Sequence, residues 1–161
     1  MSESNMTVEE IQRLRERIKQ HEGCELTPYK DTKGNMTVGY GHKIVPSDGT
    51  LFNPDRRPGT GTIHPAEADE LFDRDFDTAC RLTPKVFPYA WDKINGPRQG
   101  VLVEMIYQLG AGAARDFLHM RAALNLLKYR RAAAEMVDSD LLAFVESHTG
   151  CLLYTSPSPR D

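Results

Sequence analysis

The sequence predicts an α+β fold, with a small β-hairpin sheet near the N-terminus followed by a mostly helical lobe. Two changes in the spacing of apolar residues support this prediction. Apolar residues recur at helical intervals as far as Gly23, short strand-like segments follow up to Val45, and helical spacing returns from His64 onwards. A small sheet therefore precedes a larger helical region.

Composition and charge exclude several classes of protein. The 161 residues are 40% hydrophobic and 27% charged, which is typical of one soluble domain. No stretch approaches the roughly 20 consecutive apolar residues of a membrane span, so no stable membrane association is expected. The net charge of -3 gives no electrostatic reason to expect a nucleic-acid partner. The polar N-terminus lacks the apolar core of a signal peptide, which predicts synthesis in the cytoplasm.

The three cysteines are too few and too scattered to form a disulfide framework or a zinc site. Free thiols are therefore expected, in agreement with a reducing compartment. We expect neither a metal nor another cofactor.

The first helix is predicted to begin after Thr7 and to end before Gly23. Residues 1–6 are expected to form a frayed tail. Thr7 is followed three residues later by Glu10, a capping-box pattern in which each side chain accepts from the other's backbone N–H. Gly23 is the type of residue that ends helices, so Glu22 is expected in the last turn.

A hairpin is predicted next. Residues 29–30 and 36–40 are the candidate strands, and the polar turn between them contains Gly34 where a positive φ would be needed. Residues 44–45 are a further candidate strand. Residues 46–62 are rich in Gly, Pro, Asp and Asn and are predicted to form a long surface loop.

The remainder is predicted to be helical, in pieces separated by proline and glycine. Pro65 favours the first position of a long helix, and Pro84 is expected to interrupt the chain. The most apolar helix is predicted over residues 97–109, with Gly110 ending it. Two shorter helices are predicted to follow, at residues 117–127 and 131–137.

Three polar residues, Glu22, Asp31 and Thr37, are candidates for chemistry. A carboxylate at the negative end of a helix dipole is disfavoured in its charged form, so the pKa of Glu22 is expected to rise, as a general acid requires. Each residue alone also has an ordinary explanation. Glu22 could be a solvated last-turn residue, Asp31 a turn residue that accepts from its own backbone, and Thr37 a β-branched strand residue.

The spacing of the three candidates matches that of a known family. Eight residues separate Glu22 from Asp31, and five separate Asp31 from Thr37. The neighbouring residues agree as well, namely Glu22-Gly23, Tyr29-Lys30-Asp31-Thr32, Gly34 and Thr37-Val38-Gly39-Tyr40-Gly41-His42. The sequence thereby resembles the phage-type lysozymes, the family of the T-even phage lysozymes and endolysins. The resemblance extends over residues 8–141.

The resemblance implies a muramidase, a glycosidase that hydrolyses the β-1,4 bond between N-acetylmuramic acid and N-acetylglucosamine in peptidoglycan. Glu22 would protonate the leaving oxygen, and Asp31 with the Thr37 hydroxyl would orient a water on the opposite face of the sugar, in an inverting mechanism. It also implies a monomer that is made in the host cytoplasm and acts on the cell wall after release, for host lysis. Two alternatives stay open, a lobe that binds peptidoglycan without cleaving it and an inactive truncated fragment.

Further site residues follow from the resemblance. It implies a structural ion pair between His42 and Asp75, and the position of Asp75 on an apolar helix face agrees, because a buried carboxylate needs a partner. Tyr107 and Gln108 align with positions that contact the glycan, and an aromatic ring beside an amide is suitable for binding sugar. Tyr107 is equally well explained by core packing. Glu135 also aligns with a glycan-contacting position, although its side-chain type differs from that of the best-known relative.

Residues 1–150 are predicted to form one lysozyme-like domain, divided into a small lobe, a connecting helix and an incomplete helical lobe at residues 8–62, 63–82 and 84–150. Residues 151–161 have no helical period and carry two prolines in three positions. This segment resembles translated sequencing-adaptor DNA and is predicted to be a non-native tail. Since relatives carry a further terminal helix, the chain is expected to be truncated at its C-terminus.

Overall fold

The structure, a computed structural model, describes residues 3–49 and 61–137. These residues form, in chain order, helix α1 (Val8–Glu22), strands β1 (Glu25–Lys30), β2 (Met36–Gly39) and β3 (His42–Lys43), and helices α2 (Pro65–Val86), α3 (Gly96–Arg115), α4 (Leu118–Asn125) and α5 (Tyr129–Val137). Short 3-10 turns lie at Pro46–Asp48 and Trp91–Lys93. The small antiparallel sheet and the mostly helical remainder confirm the predicted α+β class.

The described residues divide into two compact units, one within residues 22–78 and the other formed by residues 3–21 together with 79–137. The sheet belongs to the first unit, and helices α3, α4 and α5 belong to the second. The predicted tail at residues 151–161 and most of the predicted surface loop lie outside the described residues.

The sheet has the strand order β1-β2-β3, with antiparallel neighbours. Strand β1 begins at Glu25, earlier than predicted, because Glu25 pairs with Gly39 across an irregularity that the alternation pattern does not reveal. The third strand lies at His42–Lys43, so the predicted bounds at residues 44–45 are two residues too late, although the Ile44 backbone N–H still donates to the Met36 carbonyl at 2.9 Å. The physical reason is a tight turn, since Gly39 and Gly41 have φ values of 63° and 74° and reverse the chain at once.

The core of the unit at residues 22–78 lies between the sheet and the start of α2. It consists of four buried apolar residues with partly buried neighbours packed against them, namely Val38, Ile63, Ala68 and Leu71, with Leu26, Tyr40 and Ile44. The Tyr40 ring meets the Phe72 ring edge to face, with centroids 5.6 Å apart. This packing fixes β2 and the turn that follows it.

Helix α2 continues through Pro84, so the predicted interruption there is wrong. Proline costs about 3 kcal/mol in a helix interior, but here it lies in the last turn. Val86 and Phe87 are almost completely buried, and burial of such side chains contributes about 1.5–3 kcal/mol each. The Thr83 hydroxyl also donates to the Ala79 carbonyl at 2.7 Å. Burial thus outweighs the local preference of proline.

The N-terminal segment is held rather than frayed, which corrects the prediction for the described part of residues 1–6. The Asn5 backbone N–H donates to Oε1 of Gln99 at 2.7 Å, and the Ser4 hydroxyl donates to the same oxygen at 3.0 Å. Gln99 is fully buried on α3, and its amide group donates to the Trp91 carbonyl at 2.9 Å. A buried amide with all these partners anchors the segment ahead of α1.

The local signals at the ends of two helices are confirmed. The backbone N–H of Thr7 donates to Oε2 of Glu10 at 2.8 Å, and that of Glu10 donates to Oγ1 of Thr7 at 3.1 Å, which is the capping box. Gly110 has φ 79° and ψ 157°, so the regular part of α3 ends where the glycine was expected to end it.

Candidate active site

Glu22 is the last residue of α1, and Gly23 follows it with a φ of 66°. This left-handed glycine ends the helix and leaves the Glu22 side chain at its C-terminal edge. The Glu22 carboxyl group lies against Gly41, because a Cβ added to Gly41 would come within 2.7 Å of Glu22 Oε2. Only a residue without a side chain allows so close an approach.

Asp31 opens the hairpin turn between β1 and β2. Its Oδ1 accepts from the backbone N–H groups of Asn35 at 2.8 Å and Lys33 at 2.9 Å, and its Oδ2 lies 3.1 Å from the Asn35 side-chain amide. The Asn35 backbone hydrogen bond, followed by the other donors, lowers the pKa of Asp31. The carboxylate is therefore ionised and only partly enclosed, with Oδ2 able to accept further hydrogen bonds.

Thr37 lies on β2 between Tyr29 on β1 and Lys43 on β3. The residue is 3% exposed, and its hydroxyl donates to the Asn35 carbonyl at 3.2 Å. The proton of this hydroxyl is thus used within the hairpin that holds Asp31. Its oxygen retains the capacity to accept a hydrogen bond.

Tyr29 is a site residue that the sequence analysis missed. The pKa of its phenol is raised, first by desolvation and then by the negative charges of Glu22, Glu25 and Asp31. The phenol therefore lies within electrostatic reach of both candidate carboxylates. An aromatic residue on a short strand is such an ordinary feature that only the folded arrangement singles it out.

The ring of His42 contacts two carboxylates. Its Nδ1 lies 2.8 Å from Oδ2 of Asp75, and its Nε2 lies 2.8 Å from Oδ2 of Asp48. Burial alone would lower the pKa of His42, but the hydrogen bonds and charges of Asp75 and Asp48 outweigh it and raise the pKa. The protonated imidazolium, which donates from both nitrogens, is the form that this site favours.

Asp48 is the second residue that the sequence analysis missed, because it was assigned to an exposed loop. Its side chain is 3% exposed and also accepts from the Val45 backbone N–H at 2.8 Å. Burial raises the pKa of Asp48, but the Val45 N–H and His42 more than offset this, so that the pKa is lowered. A turn residue such as Asp48 gives no sequence signal that it will be buried.

The three proposed glycan contacts lie in the other unit. Tyr107 and Gln108 are partly buried on α3, and Glu135 lies on α5 with Oε1 3.8 Å from Nε of Arg131. The side-chain nitrogen of Gln108 is buried, and within the described residues no hydrogen-bond acceptor reaches it. Tyr107 and Gln108 are neighbours in sequence, whereas Glu135 is on a different helix.

The sequence that forms this site can be compared with those of known proteins. The sequence model of the phage lysozyme family matches residues 19–141, which is most of the chain. The chain belongs to the phage lysozyme family. The Glu22, Asp31 and Thr37 positions all fall inside the matched range.

Several proteins are similar to this member of the phage lysozyme family. "Probable T4-type lysozyme 2" of Dictyostelium discoideum is 25% identical over 146 residues, or 80% of this chain and 84% of that protein. The "SAR-endolysin" of Bacteriophage PS119 is 34% identical over 100 residues, or 62% of this chain and 52% of that protein. The "Pre-baseplate central spike protein Gp5" of Enterobacteria phage T4 is 32% identical over 125 residues, or 69% of this chain and 22% of that protein. The chain therefore spans only part of these two phage proteins.

Membership of the phage lysozyme family, with lysozymes and endolysins among the relatives, supports a peptidoglycan-lytic function and a glycosidase activity. No helix in residues 3–49 and 61–137 is both long enough and apolar enough to cross a membrane. In the same parts of the chain, no three His, Cys, Asp or Glu side chains are grouped so that they could hold a metal ion.

Proposed function

We propose that this phage lysozyme family member is a muramidase that cleaves the β-1,4 bond between N-acetylmuramic acid and N-acetylglucosamine in peptidoglycan, with inversion at the anomeric carbon. Glu22 is the general acid that protonates the leaving oxygen. Asp31 and the Thr37 hydroxyl hold the attacking water. The substrate and the lytic role in the host rest on family membership, and the residue roles rest on the chemistry of the site.

The observation that supports the proposal most directly is the electrostatic environment of Tyr29. Burial raises the pKa of its phenol most, and the charges of Glu22 and Asp31 raise it further, so both carboxyl groups, one on α1 and one in the β1–β2 turn, lie within electrostatic reach of the same ring. Glycosidases of this type use two carboxyl groups in unlike environments, one as the acid and the other in contact with water. A site used only for binding has no need of this pair.

The surroundings of Asp31 match its proposed part. A carboxylate whose pKa is lowered stays ionised at neutral pH, so it accepts hydrogen bonds from water and stabilises positive charge that develops on the sugar. It is also a weak base, so its main effect is to orient the water, and it takes up the proton that the water loses as the new bond to the anomeric carbon forms. The Thr37 oxygen, with its own proton directed to the Asn35 carbonyl, presents a lone pair to the same water.

Tyr107, Gln108 and Glu135 are proposed as glycan contacts. The side chain of Gln108, a partly buried residue of α3, carries both a donor and an acceptor, as binding to a sugar carbonyl or hydroxyl requires. The Tyr107 ring offers an apolar face of the kind that packs on a pyranose. These contacts would affect KM, whereas loss of the acid would affect kcat.

The test is release of new reducing ends from purified peptidoglycan by the wild-type chain, by Glu22→Gln and by Glu25→Gln. Glu25 is a matched control because it is an exposed carboxylate that also raises the pKa of Tyr29. Loss of a general acid costs about 100- to 10,000-fold in rate, so Glu22→Gln is expected to fall by that factor while Glu25→Gln stays within about threefold.

Two further measurements define the bond and the stereochemistry. Borohydride reduction of the products followed by mass spectrometry is expected to find N-acetylmuramitol as the new end, and proton NMR is expected to find the α-anomer first. Equal activity of Glu22→Gln and wild type would remove Glu22 as the acid. Binding without release by the wild type would instead identify a peptidoglycan-binding lobe, and neither binding nor release would identify an inactive fragment.

A further inference from the structure

A second carboxylate, Glu104, is almost enclosed on the apolar helix α3. Its side chain is 13% exposed, and its neighbours Val103 and Met105 are buried. Its oxygens are shared between two residues of α1. Oε2 accepts from Arg17 Nη2 at 2.7 Å and from Arg17 Nε at 2.9 Å, and Oε1 lies 2.9 Å from Nδ1 of His21.

These three contacts form a clamp, defined here as Arg17, His21 and Glu104. Arg17 and His21 are four residues apart on α1 and therefore lie on the same face of the helix, one turn apart. An ionised carboxylate has no proton to give, so Nδ1 of His21 must carry the hydrogen. Because one carboxylate holds both turns, α1 can neither rotate nor slide along its axis at this point without losing a charge-assisted hydrogen bond.

The clamp acts on the turn from which the proposed acid projects. His21 is the residue directly before Glu22, and the carbonyl groups of this last turn have no partners within the helix. Helix ends fray for this reason. A side-chain anchor one residue before Glu22 opposes that fraying and sets the direction in which the Glu22 side chain leaves the helix.

We propose that Glu104 is a positioning residue for Glu22, acting through Arg17 and His21. This inference rests on the proposed function, since it presupposes that Glu22 is the acid. It assigns to a largely enclosed charge on α3 a part in catalysis without contact with substrate. The groups that face Glu104 within the described residues are Arg17 and His21, both from α1.

A partly buried ion pair can also exist for stability alone, and the two roles predict different kinetics. Misplacement of a catalytic group by about 1 Å costs up to about 100-fold in rate. It leaves ground-state binding of a long glycan unchanged. A positioning role therefore lowers kcat at constant KM in the folded fraction, whereas a purely structural role lowers only the folded fraction.

The experiment compares Glu104→Ala, Glu104→Gln and Gln99→Ala. Gln99→Ala is the matched control, because Gln99 is fully buried on the same helix and anchors the N-terminal segment rather than the last turn of α1. For each variant, kcat and KM are measured on soluble peptidoglycan fragments and corrected for the folded fraction from a circular dichroism melt.

Glu104→Ala is expected to lower kcat about 10- to 100-fold with KM changed less than twofold. Glu104→Gln keeps one acceptor oxygen and is expected to restore part of kcat. Gln99→Ala is expected to lower the melting temperature with kcat unchanged per folded molecule. Wild-type kcat in folded Glu104→Ala, or an equal loss in Gln99→Ala, would overturn the positioning role.

If Glu104→Ala does not fold, the exposed end of the clamp provides the test. Arg17→Met keeps the aliphatic stem and removes the charge, and a double-mutant cycle with Glu104→Gln measures the coupling in log kcat. If Arg17 and Glu104 act through one clamp, the kcat of the double mutant is expected to be no lower than that of the slower single mutant. Losses in log kcat that add up in the double mutant would contradict the proposal. Wild-type activity in Glu22→Gln would overturn the assignment of Glu22 as the acid. That result is distinct from the outcomes that test the role of Glu104.

Discussion

Nε2 of His42 lies 2.8 Å from Oδ2 of Asp48, on the opposite side of the ring from the 2.8 Å contact between Nδ1 and Asp75. The His42 ring thus ties three elements together: β3, the 3-10 turn at Pro46–Asp48 and helix α2. Arg74 approaches the same cluster, with Nη2 4.0 Å from the other Asp48 oxygen. This arrangement fixes the chain on both sides of the sheet's last strand.

Substitution of Asp48 by Asn is expected to lower the free energy of unfolding by about 1–3 kcal/mol near pH 5, because the amide keeps an acceptor oxygen but removes the buried negative charge that faces protonated His42. Asp77→Asn is the control, since Asp77 is an exposed carboxylate on the same helix as Asp75. Urea unfolding monitored by circular dichroism is the measurement. If Asp48→Asn lowers the free energy of unfolding no more than Asp77→Asn does, the contact between Asp48 and His42 does not contribute to stability.

The same cluster predicts how stability depends on pH. The pKa of His42 is raised in the fold, so its contribution is complete below the unfolded-state value of about 6.5 and is lost as the pH rises through the folded-state pKa. The pKa of Asp48 is lowered, so its contribution is complete above about 3.9 and is lost as the pH falls through the folded-state pKa. The joint contribution of His42 and Asp48 to the free energy of unfolding is expected to be greatest between about pH 3.9 and pH 6.5. In Asp48→Asn this maximum should be flatter, and an unchanged profile would disprove the coupling.

Substitution of Gly41 by Ala is expected to reduce activity about 100-fold, because the new Cβ would displace the Glu22 carboxyl group. Gly61→Ala is the matched control. Gly61 also has a positive φ, 56°, but a Cβ there meets no atom within 4 Å. Both variants are expected to lose about 1–2 kcal/mol of stability from backbone strain. Equal activities of the two folded variants would mean that the contact with Glu22 is not important for catalysis.

Substitution of Asp31 by Asn is expected to preserve the hairpin and to abolish activity. An Asn oxygen can still accept from the Asn35 and Lys33 backbone N–H groups, so the turn keeps its hydrogen bonds. The negative charge next to the water is lost, and we expect kcat to fall at least about 100-fold. Reducing-end release and the thermal melt are measured together. Activity close to wild type in a folded Asp31→Asn protein would assign the water to another group.

Thr37 allows the hydroxyl and the shape of the side chain to be separated. Thr37→Val is nearly isosteric, and loss of its hydrogen bond to the Asn35 carbonyl is expected to cost about 1 kcal/mol of stability. If the hydroxyl also holds the water, kcat is expected to fall about 10- to 100-fold, and Thr37→Ser should restore most of it. A stable, fully active Thr37→Val variant would limit Thr37 to a structural part in the hairpin.

The sequence was sufficient where neighbouring residues decide the structure. The end of α1 at Gly23, the Thr7–Glu10 capping box and the positive φ of Gly34 are all set by groups a few residues apart, so local pattern predicts them. Residue spacing also predicted the family, which places Glu22 at a helix end and Asp31 at a hairpin turn. These are consequences of backbone conformation and short-range hydrogen bonding.

Other features depend on partners that are distant in sequence. Asp48 can be buried because His42 and the Val45 N–H donate hydrogen bonds to its carboxylate. Glu104 is held by Arg17 and His21, which are more than 80 residues away in sequence. The helix through Pro84 persists because burial of neighbouring side chains exceeds a local penalty. Local sequence determines which conformations a segment prefers, but the burial of a charge, or the continuation of a helix through a proline, depends on what the whole chain packs around it.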